Sequence, residues 1–454
     1  MGDAGAGGGQ LRRELGLLDA VLFSVGGMVG SAIFFFPGAT GRQVGAAAIA
    51  AWFGVGVLML IVGTLYAELA MAFPQAGGPA VYPNETLGPW RPVRHFASYL
   101  EGVCYAFGWT FAITISALAL ATYLSIMFPP AGAYMVPIAV VAIVLSLGVN
   151  LVGVQLTNRT NLLLAAFLLA ALLVFVAAGL ANAQPANLRV GGELRGGAFF
   201  AAMGLAMTGY GAWTAIPSAV EEIRDPERTV PRAIIISIGV TTLLYTGVLA
   251  ALHGVVAPER FGAGSQVLQA PLGVAAAEVG LPLFGRYVLP AAAVLAIFTT
   301  MLVGTMSASR VVLAMGRSGV LPRAFARVHD RFDVPWVALV ALSAAATALA
   351  LVPRYFYALE IVAALVGTAL PYAINILAFL GLRFYRTEVT PAFRAPGGVG
   401  LAVVAFAVVV LAVLGLGTEE LLWSLGALAL MSAYFLVRYA RNREAFRSLA
   451  EGPG

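Results

Sequence analysis

The chain has 454 residues, of which 61% are hydrophobic and only 10% are charged. Soluble domains contain about 25% charged residues, so this composition excludes an ordinary soluble globular protein. The net charge is +5, and all 26 basic residues are Arg. We attribute this positive charge to membrane topology and contact with anionic lipid head groups rather than to nucleic-acid binding.

Twelve apolar segments have the length and composition expected of membrane-spanning helices, each of which needs about 20 apolar residues. The predicted spans, numbered 1 to 12 in chain order, are Leu17–Val44, Ala47–Phe73, Phe96–Phe128, Tyr134–Leu151, Asn161–Ala181, Ala198–Ile223, Pro231–Val256, Tyr287–Met315, Trp336–Leu351, Tyr357–Phe379, Val399–Leu414 and Leu421–Tyr439. The sequence therefore predicts an all-α polytopic membrane protein with 12 transmembrane helices.

The distribution of arginines supports this count. When the N-terminus is placed in the cytoplasm and the spans alternate, 20 of the 26 arginines fall on the cytoplasmic side and 6 fall outside. This asymmetry follows the positive-inside rule, and one missed span would remove it. It predicts a multi-pass protein of the cytoplasmic membrane whose two tails, residues 1–14 and 441–454, are both cytoplasmic.

Span 1 contains a segment that is poorly suited to a continuous helix. Residues 26–38 read GGMVGSAIFFFPG. Each interior Gly costs about 1 kcal/mol relative to Ala, and Pro lacks a backbone donor. In lipid, a broken helix is tolerated only where its freed groups face protein or a water-filled cavity. The exposed half-helix ends suit a carboxylate and a cation, so the break predicts a binding site near the membrane midplane.

Span 6 is interrupted in the same way, because residues 207–217 read MTGYGAWTAIP. Breaks in spans 1 and 6 are typical of two five-helix repeats, and an odd number of helices inverts the second repeat. We therefore expect repeats at residues 15–182 and 198–382, with spans 11 and 12 at residues 396–440 outside them. The alternative is that these glycines only permit close helix packing.

Four motifs, the first of which lies within the span 1 segment quoted above, give the chain a family resemblance. They are GSAIF at residues 30–34, YAELA with FPQAGG at 66–78, EEIRDP with VPRAI at 221–234, and SRVVLAM with GRSGVLP and PW at 309–336. In this order and spacing they resemble the amino acid–polyamine–organocation transporter superfamily. The resemblance implies a secondary active transporter of amino acids that works by alternating access in the membrane; the alternative is a proton-coupled symporter or an amino acid/polyamine exchanger.

The resemblance also implies how a zwitterion would be bound. The carboxylate would meet backbone N–H groups at the start of the outer half of helix 1, and the amino group would meet carbonyls at the two breaks. The residues assigned to this site are Gly26, Gly30, Ser31, Ala32, Thr208, Gly209, Tyr210, Gly211 and Trp213. Trp213 occupies the family's gating position, with Tyr210 as the alternative. The chain departs from the family at Ala32 and Ala212, which would narrow access to the backbone, and at Thr214, where the family often has an acidic residue.

The sequence leaves open which ion, if any, is coupled to transport. In sodium-coupled relatives, two adjacent hydroxyl residues of helix 8 join backbone carbonyls of helices 1 and 8. The corresponding residues here are Gly26, Val29, Ala296, Thr299 and Thr300. The alternatives are that both threonines bond their own helix, and that transport is proton-coupled or an exchange. Proton-coupled relatives carry a Lys in helix 5, where this chain has Leu168.

Carboxylates within the spans lie toward the helix ends, and membrane carboxylates are functional candidates by default. Glu101 falls in the cytoplasmic third of span 3. An inner gate is expected from Glu68, Glu221, Glu222 and Arg310, with Arg224 and Arg232 as further arginine partners. Because no acidic residue is expected in the pocket, a neutral amino acid is favoured over a cationic one.

Two other classes fit the sequence less well. A membrane enzyme would need clustered His, Asp or Glu at membrane depth, whereas His95, His253 and His329 are scattered. A channel would need polar stripes along several helices. We therefore expect a non-enzymatic transporter without a resident cofactor, with Na⁺ as a candidate coupling ion. Its expected partners are an amino acid as small-molecule substrate and the lipid bilayer, without nucleic acid.

Overall fold

The computed structural model describes residues 15–75, 77–152, 158–190, 196–262, 265–352, 365–415 and 418–441. Within these ranges the chain is helical, and the only β pairing is an isolated parallel bridge between Leu15 and Ile223. The predicted tails, apart from Arg441, and the first part of predicted span 10 lie outside the described residues.

Seven helices cover the first half of the chain. They are α1 (Leu17–Met28), α2 (Ser31–Val44), α3 (Ala47–Ala72), α4 (Gly78–Thr86), α5 (Arg91–Met127), α6 (Met135–Val152) and α7 (Asn158–Ala181). The helices α1 and α2 together correspond to predicted span 1. The short α4 follows span 2 and packs against α5, so it belongs to the connection between spans rather than to a span of its own.

Ten helices lie in the described part of the second half, eight before residue 386 and two after it. The eight are α8 (Gly196–Gly209), α9 (Ala215–Ser218), α10 (Pro226–Val255), α11 (Gln266–Gln269), α12 (Pro271–Glu278), α13 (Leu289–Arg317), α14 (Trp336–Ala350) and α15 (Leu370–Tyr385). The last two are α16 (Gly398–Leu414) and α17 (Thr418–Arg441). A 3₁₀ turn at Gly211–Thr214 separates α8 from α9, and a π-helical turn at Leu365–Ala369 leads into α15.

Among the described residues, seven helices are long and apolar enough to cross a membrane, or nine spans when two bent pairs are each counted as one. The bent pairs are those predicted, in spans 1 and 6, with bends of 41° and 47°. Shorter apolar helices lie at Ala165–Ala181, Trp336–Ala350 and Gly398–Leu414, within predicted spans 5, 9 and 11. The chain is thus a polytopic helical membrane protein, and its twelve-span count and inverted repeats stay predictions.

Large apolar side chains cover the outer surface of the bundle. Leu243 on α10 is 73% exposed and Leu430 on α17 is 75% exposed. The apolar segment of α17 is only 11% buried, because this helix touches the bundle mainly through α5. Such a surface is unfavourable in water and suited to lipid.

The break in span 1 is shorter than the sequence predicts. The helix is regular through Met28, and only Val29 and Gly30 leave the helical conformation. The Gly30 N–H donates to the Met28 carbonyl at 2.8 Å, so helix hydrogen bonds are lost at this point. The freed carbonyls are met by neighbouring helices: Thr300 Oγ1 on α13 donates to Gly27 O at 2.9 Å, and the Tyr245 hydroxyl donates to Met28 O.

The break in span 6 lies beside the first. The α-helix ends at Gly209, Tyr210 follows, and the chain then makes its 3₁₀ turn. The Gly209 carbonyl lies 3.0 Å from the Tyr245 hydroxyl, which is the same group that meets Met28. One buried side chain of α10 therefore reaches the carbonyl ends of both broken helices.

Glycine allows the first break to approach α13. A Cβ atom on Gly30 would overlap the Thr300 side chain, and one on Gly27 would lie 2.9 Å from Ala212 Cβ. Gly27 and Gly30 therefore allow close packing between helices, in addition to favouring the break in the helix.

We expect Tyr245→Phe to destabilise the protein by about 1–3 kcal/mol, because it removes the one hydroxyl shared by two buried carbonyls. The measurement is thermal unfolding in detergent. Tyr385→Phe is the control, since Tyr385 is 62% exposed. Equal melting temperatures for the two variants would contradict the bridging role of Tyr245.

Candidate functional site

A cavity of about 90 Å³ lies between the two breaks. The broken helices contribute Gly27, Met28, Ser31, Ala32, Phe36, Thr208, Gly209, Gly211, Ala212 and Thr214 to its walls. The other walls are formed by Tyr66, Tyr105, Gly108, Trp109, Ala112, Ile115, Ser116, Thr300, Gly367, Thr368, Pro371 and Tyr372. Among the described residues, this lining contains no Asp, Glu, Arg or His.

The N-terminus of α2 opens onto the cavity. Ser31 and Ala32 are its first two residues, and no side chain caps this end of the helix. The first N–H groups of a helix have no partner within the helix and carry a partial positive charge. Ser31 Oγ lies 3.0 Å from Ser116 Oγ on α5, which adds two hydroxyls beside these donors. The arrangement suits an anionic group.

Five of the nine predicted substrate residues line the cavity: Ser31, Ala32, Thr208, Gly209 and Gly211. The other four, which are Gly26, Gly30, Tyr210 and Trp213, are not part of its lining. Tyr210 points away because its hydroxyl donates to Trp52 O at 3.3 Å. Because Gly30 does not line the cavity, a larger residue at position 30 would overlap Thr300 of α13 rather than fill the cavity.

The structure places Trp213 behind the cavity wall. Its ring is fully buried, stacks on Tyr372 at 5.8 Å and 8°, and meets the Tyr66 ring edge-on at 4.9 Å. Tyr66 and Tyr372 both line the cavity. Two tyrosines therefore occupy the position expected of Trp213, which supports them from behind.

The walls from α5 and from residues 367–372 were not predicted from the sequence. The α5 helix passes the start of α15 so closely that a Cβ on Gly108 or on Gly367 would overlap the other residue's backbone. Gly108 precedes Trp109, and Gly367 precedes Thr368, so each glycine places a larger residue at the cavity. Both glycines are visible in the sequence, but the sequence does not show that they contact each other and so position these cavity walls.

The predicted sodium ligands lie where α1 meets α13. Thr300 is buried and its hydroxyl lies 2.9 Å from Gly27 O and 3.1 Å from Ala296 O. Thr299 is partly exposed and donates to Leu295 O at 3.0 Å within its own helix. Each hydroxyl therefore contacts a carbonyl of its own helix, as expected if the threonines bond locally. The helix 1 carbonyl beside Thr300 is that of Gly27, whereas the sequence predicts Gly26 and Val29.

A chain of hydroxyls closes one end of the cavity. Tyr105 Oη lies 3.0 Å from Thr214 Oγ1 and 2.5 Å from Ser307 Oγ. Ser307 Oγ in turn lies 2.8 Å from Ser218 Oγ on α9. These contacts join α5, the span 6 break and α13 through groups that exchange hydrogen bonds easily with water.

A buried ion pair lies beyond these hydroxyls, one helical turn further along α13. Arg310 donates through Nε and through a terminal nitrogen to the two Glu222 oxygens, the second bond being 2.8 Å long. The side chains are 8% and 9% exposed. The predicted pairing of Glu222 with Arg310 is present. It stands at the ends of spans 6 and 8 that the arginine distribution predicts to be cytoplasmic.

Glu68 has a different partner from those predicted. Its Oε2 accepts bonds from Arg383 at 2.7 Å and from the Ala395 N–H at 2.6 Å. The reason is that the end of α15 passes beside α3, which sequence separation conceals. Glu68 therefore fixes the segment between α15 and α16. Glu221 is partly exposed next to the buried Glu222.

Comparison with known proteins is consistent with this geometry. A family model described as amino acid permease matches residues 15–432. An uncharacterized transporter of Mycobacterium tuberculosis is 33% identical over 343 residues, which is 75% of this chain and 74% of that protein. In Bacillus subtilis, the branched-chain amino acid permease BcaP is 26% identical and the methylthioribose transporter 27% identical, each covering 85% of this chain and 84% of the relative.

We expect Glu222→Gln and Arg310→Gln each to destabilise the protein by about 3–5 kcal/mol, since each leaves one buried charge without its partner. The double variant removes both charges and should lose much less than the sum. Thermal unfolding of the four proteins in detergent gives the comparison. Additive losses would show that the two charges do not stabilise each other.

Proposed function

Because the chain belongs to the amino acid permease family, we propose that it is a secondary active transporter of neutral amino acids that works by alternating access in the cytoplasmic membrane. The observation that supports this most directly is the cavity between two helix breaks. The N-terminus of α2, which no side chain caps, lies on one side of it, and Met28 and Gly209, the last residues of α1 and α8, lie in its lining. Such paired half-helix ends suit the two opposite charges of a zwitterion.

The neutral side chain follows from what the cavity lacks. Among the residues that the structure describes, its lining has no carboxylate to balance a cationic side chain and no arginine to balance an acidic one. A desolvated charge without a partner is costly. Phe36, Trp109 and Ile115 instead provide apolar surface, which suits an apolar amino acid such as those named for BcaP.

An uncharged solute is the second candidate substrate class, because one relative is named for methylthioribose. Such a molecule would not use the charge of the two helix ends. The two classes are distinguished by competition. Excess methylthioribose should leave leucine uptake unchanged, whereas isoleucine and valine should reduce it.

Alternating access would require one end of the cavity to open. The hydroxyl chain through Tyr105 and Ser307, with the Glu222–Arg310 pair beyond it, would be the barrier at one end. Hydroxyl contacts exchange readily with water, so the ion pair is the more demanding part of this opening. This assigns to Glu222 and Arg310 the role of an inner gate.

We expect Gly211→Leu to abolish leucine uptake by proteoliposomes while the protein stays folded. Gly211 lines the cavity, and a Cβ there meets nothing within 4 Å, so the new side chain would occupy substrate space without displacing protein. Gly239→Leu is a matched control, because Gly239 on α10 also has no neighbour within 4 Å but is not part of the lining. Uptake by the Gly211 variant equal to that of the control would move the site elsewhere.

The sodium site is proposed as one account of coupling, with Thr299 and Thr300 as its hydroxyl ligands. If it is present, replacing both by Val keeps the volume but removes two oxygens. Transport should then lose its sodium dependence, or fail at about 150 mM sodium, a concentration near physiological ionic strength, with the fold retained. Wild-type uptake that is indifferent to sodium would reject this account and leave proton coupling or exchange.

A further inference from the structure

We propose that Glu101 is a proton-binding site whose loading and release couple a proton to each transport cycle. The inference rests on the proposed transport function, and it names a residue that the family motifs do not include. The step is the dissociation of a carboxylic acid into a carboxylate and a proton, and it requires no other reactant.

Glu101 is fully buried within α5, with no exposed surface. Among the described residues its only hydrogen-bond partner is Asn375 on α15, whose Nδ2 lies 3.0 Å from Glu101 Oε1. No arginine or histidine of the described chain forms an ion pair with it. This distinguishes Glu101 from Glu68 and Glu222, the other buried carboxylates, each of which has an arginine beside it.

The hydrogen bonding between Glu101 and Asn375 is incomplete, because one donor is missing. Asn375 Nδ2 uses its two hydrogens on Glu101 Oε1 and on Pro371 O, the latter at 3.2 Å. Glu101 Oε2 and Asn375 Oδ1 are then buried acceptors without a donor among the described residues. A proton on the carboxyl supplies a donor to this group and removes a buried, unpaired charge. The resting form of this environment is therefore the neutral acid.

The groups around the carboxyl do not supply a compensating charge. Tyr66 on α3, Tyr82 on α4, and Cys104 and Tyr105 on α5 lie close enough to interact with it electrostatically, and none is a cation. Tyr372 and Asn375 are the titratable and polar groups of α15 on this side. Of the arginines on helices packed against α5, Arg310 of α13 bonds to Glu222, Arg383 of α15 bonds to Glu68, and Arg438 of α17 bonds to Val320 O.

Glu101 is connected to the substrate cavity through Asn375, which bonds to the cavity residue Pro371. Pro371 and Tyr66 line the cavity, and the Pro371 carbonyl accepts from both Tyr66 Oη, at 3.2 Å, and Asn375. Movement of α15 against α5 would therefore change both the cavity wall and the contact of Glu101 with Asn375. Water that reaches the carboxyl in one state would stabilise the carboxylate and take the proton, which links the proton's release to the opening of the cavity.

The test compares wild type with Glu101→Gln in proteoliposomes. Wild type should accumulate leucine by up to about tenfold for each pH unit that the outside is more acidic. Glu101→Gln keeps the volume and a hydrogen-bonding amide, so it should retain leucine counterflow, which needs no net proton movement, but lose accumulation and the pH dependence of uptake. Glu388→Gln is the matched control, because this carboxyl is 63% exposed and pairs with Arg386.

Each outcome is decisive for one of the two proposals. Wild type without leucine counterflow would reject the proposed transport function itself. Wild-type counterflow without proton-driven accumulation, or accumulation that persists in Glu101→Gln, would reject the proton site alone. If Glu101→Gln does not fold, Glu101→Asp replaces it. This variant keeps a carboxyl in altered surroundings and should shift the midpoint of the pH profile, whereas an unshifted profile would overturn the inference.

Discussion

The hydroxyl of Tyr245 lies within hydrogen-bonding distance of the Met28 and Gly209 carbonyls, and the rest of the site depends on this contact. A helix that stops inside a membrane leaves backbone groups that lipid cannot satisfy. Here one side chain of an intact helix meets both interrupted helices at once. The two breaks are therefore held side by side, and the space between them is the cavity.

This constraint explains how a neutral cavity can still be polar. Ends of helices supply partial charges without any ionised side chain, and the described residues of the lining include no Asp, Glu, Arg or His. The full charges lie apart from it. Arg310 with Glu222 and Arg383 with Glu68 pair neighbouring segments beyond the cavity.

The sequence was informative where chemistry is local and less so where it depends on helix contacts. Glycines and a proline predicted the interruptions in spans 1 and 6, because they act on the helix that contains them. The partner of Glu68 could not be found this way, since Arg383 lies 315 residues further along the chain. Trp213 was expected to face substrate for its residue type and position. Its actual place behind Tyr66 and Tyr372 is set by packing that no motif encodes.

The crossing of Gly108 and Gly367 has a mechanical consequence. Helices normally interlock through ridges of side chains, which fix the angle and the register between them. At this crossing two bare backbones meet, so there is no ridge to hold either helix in place. A displacement of the π-helical turn before α15 against α5 would therefore require no side chains to disengage at this contact.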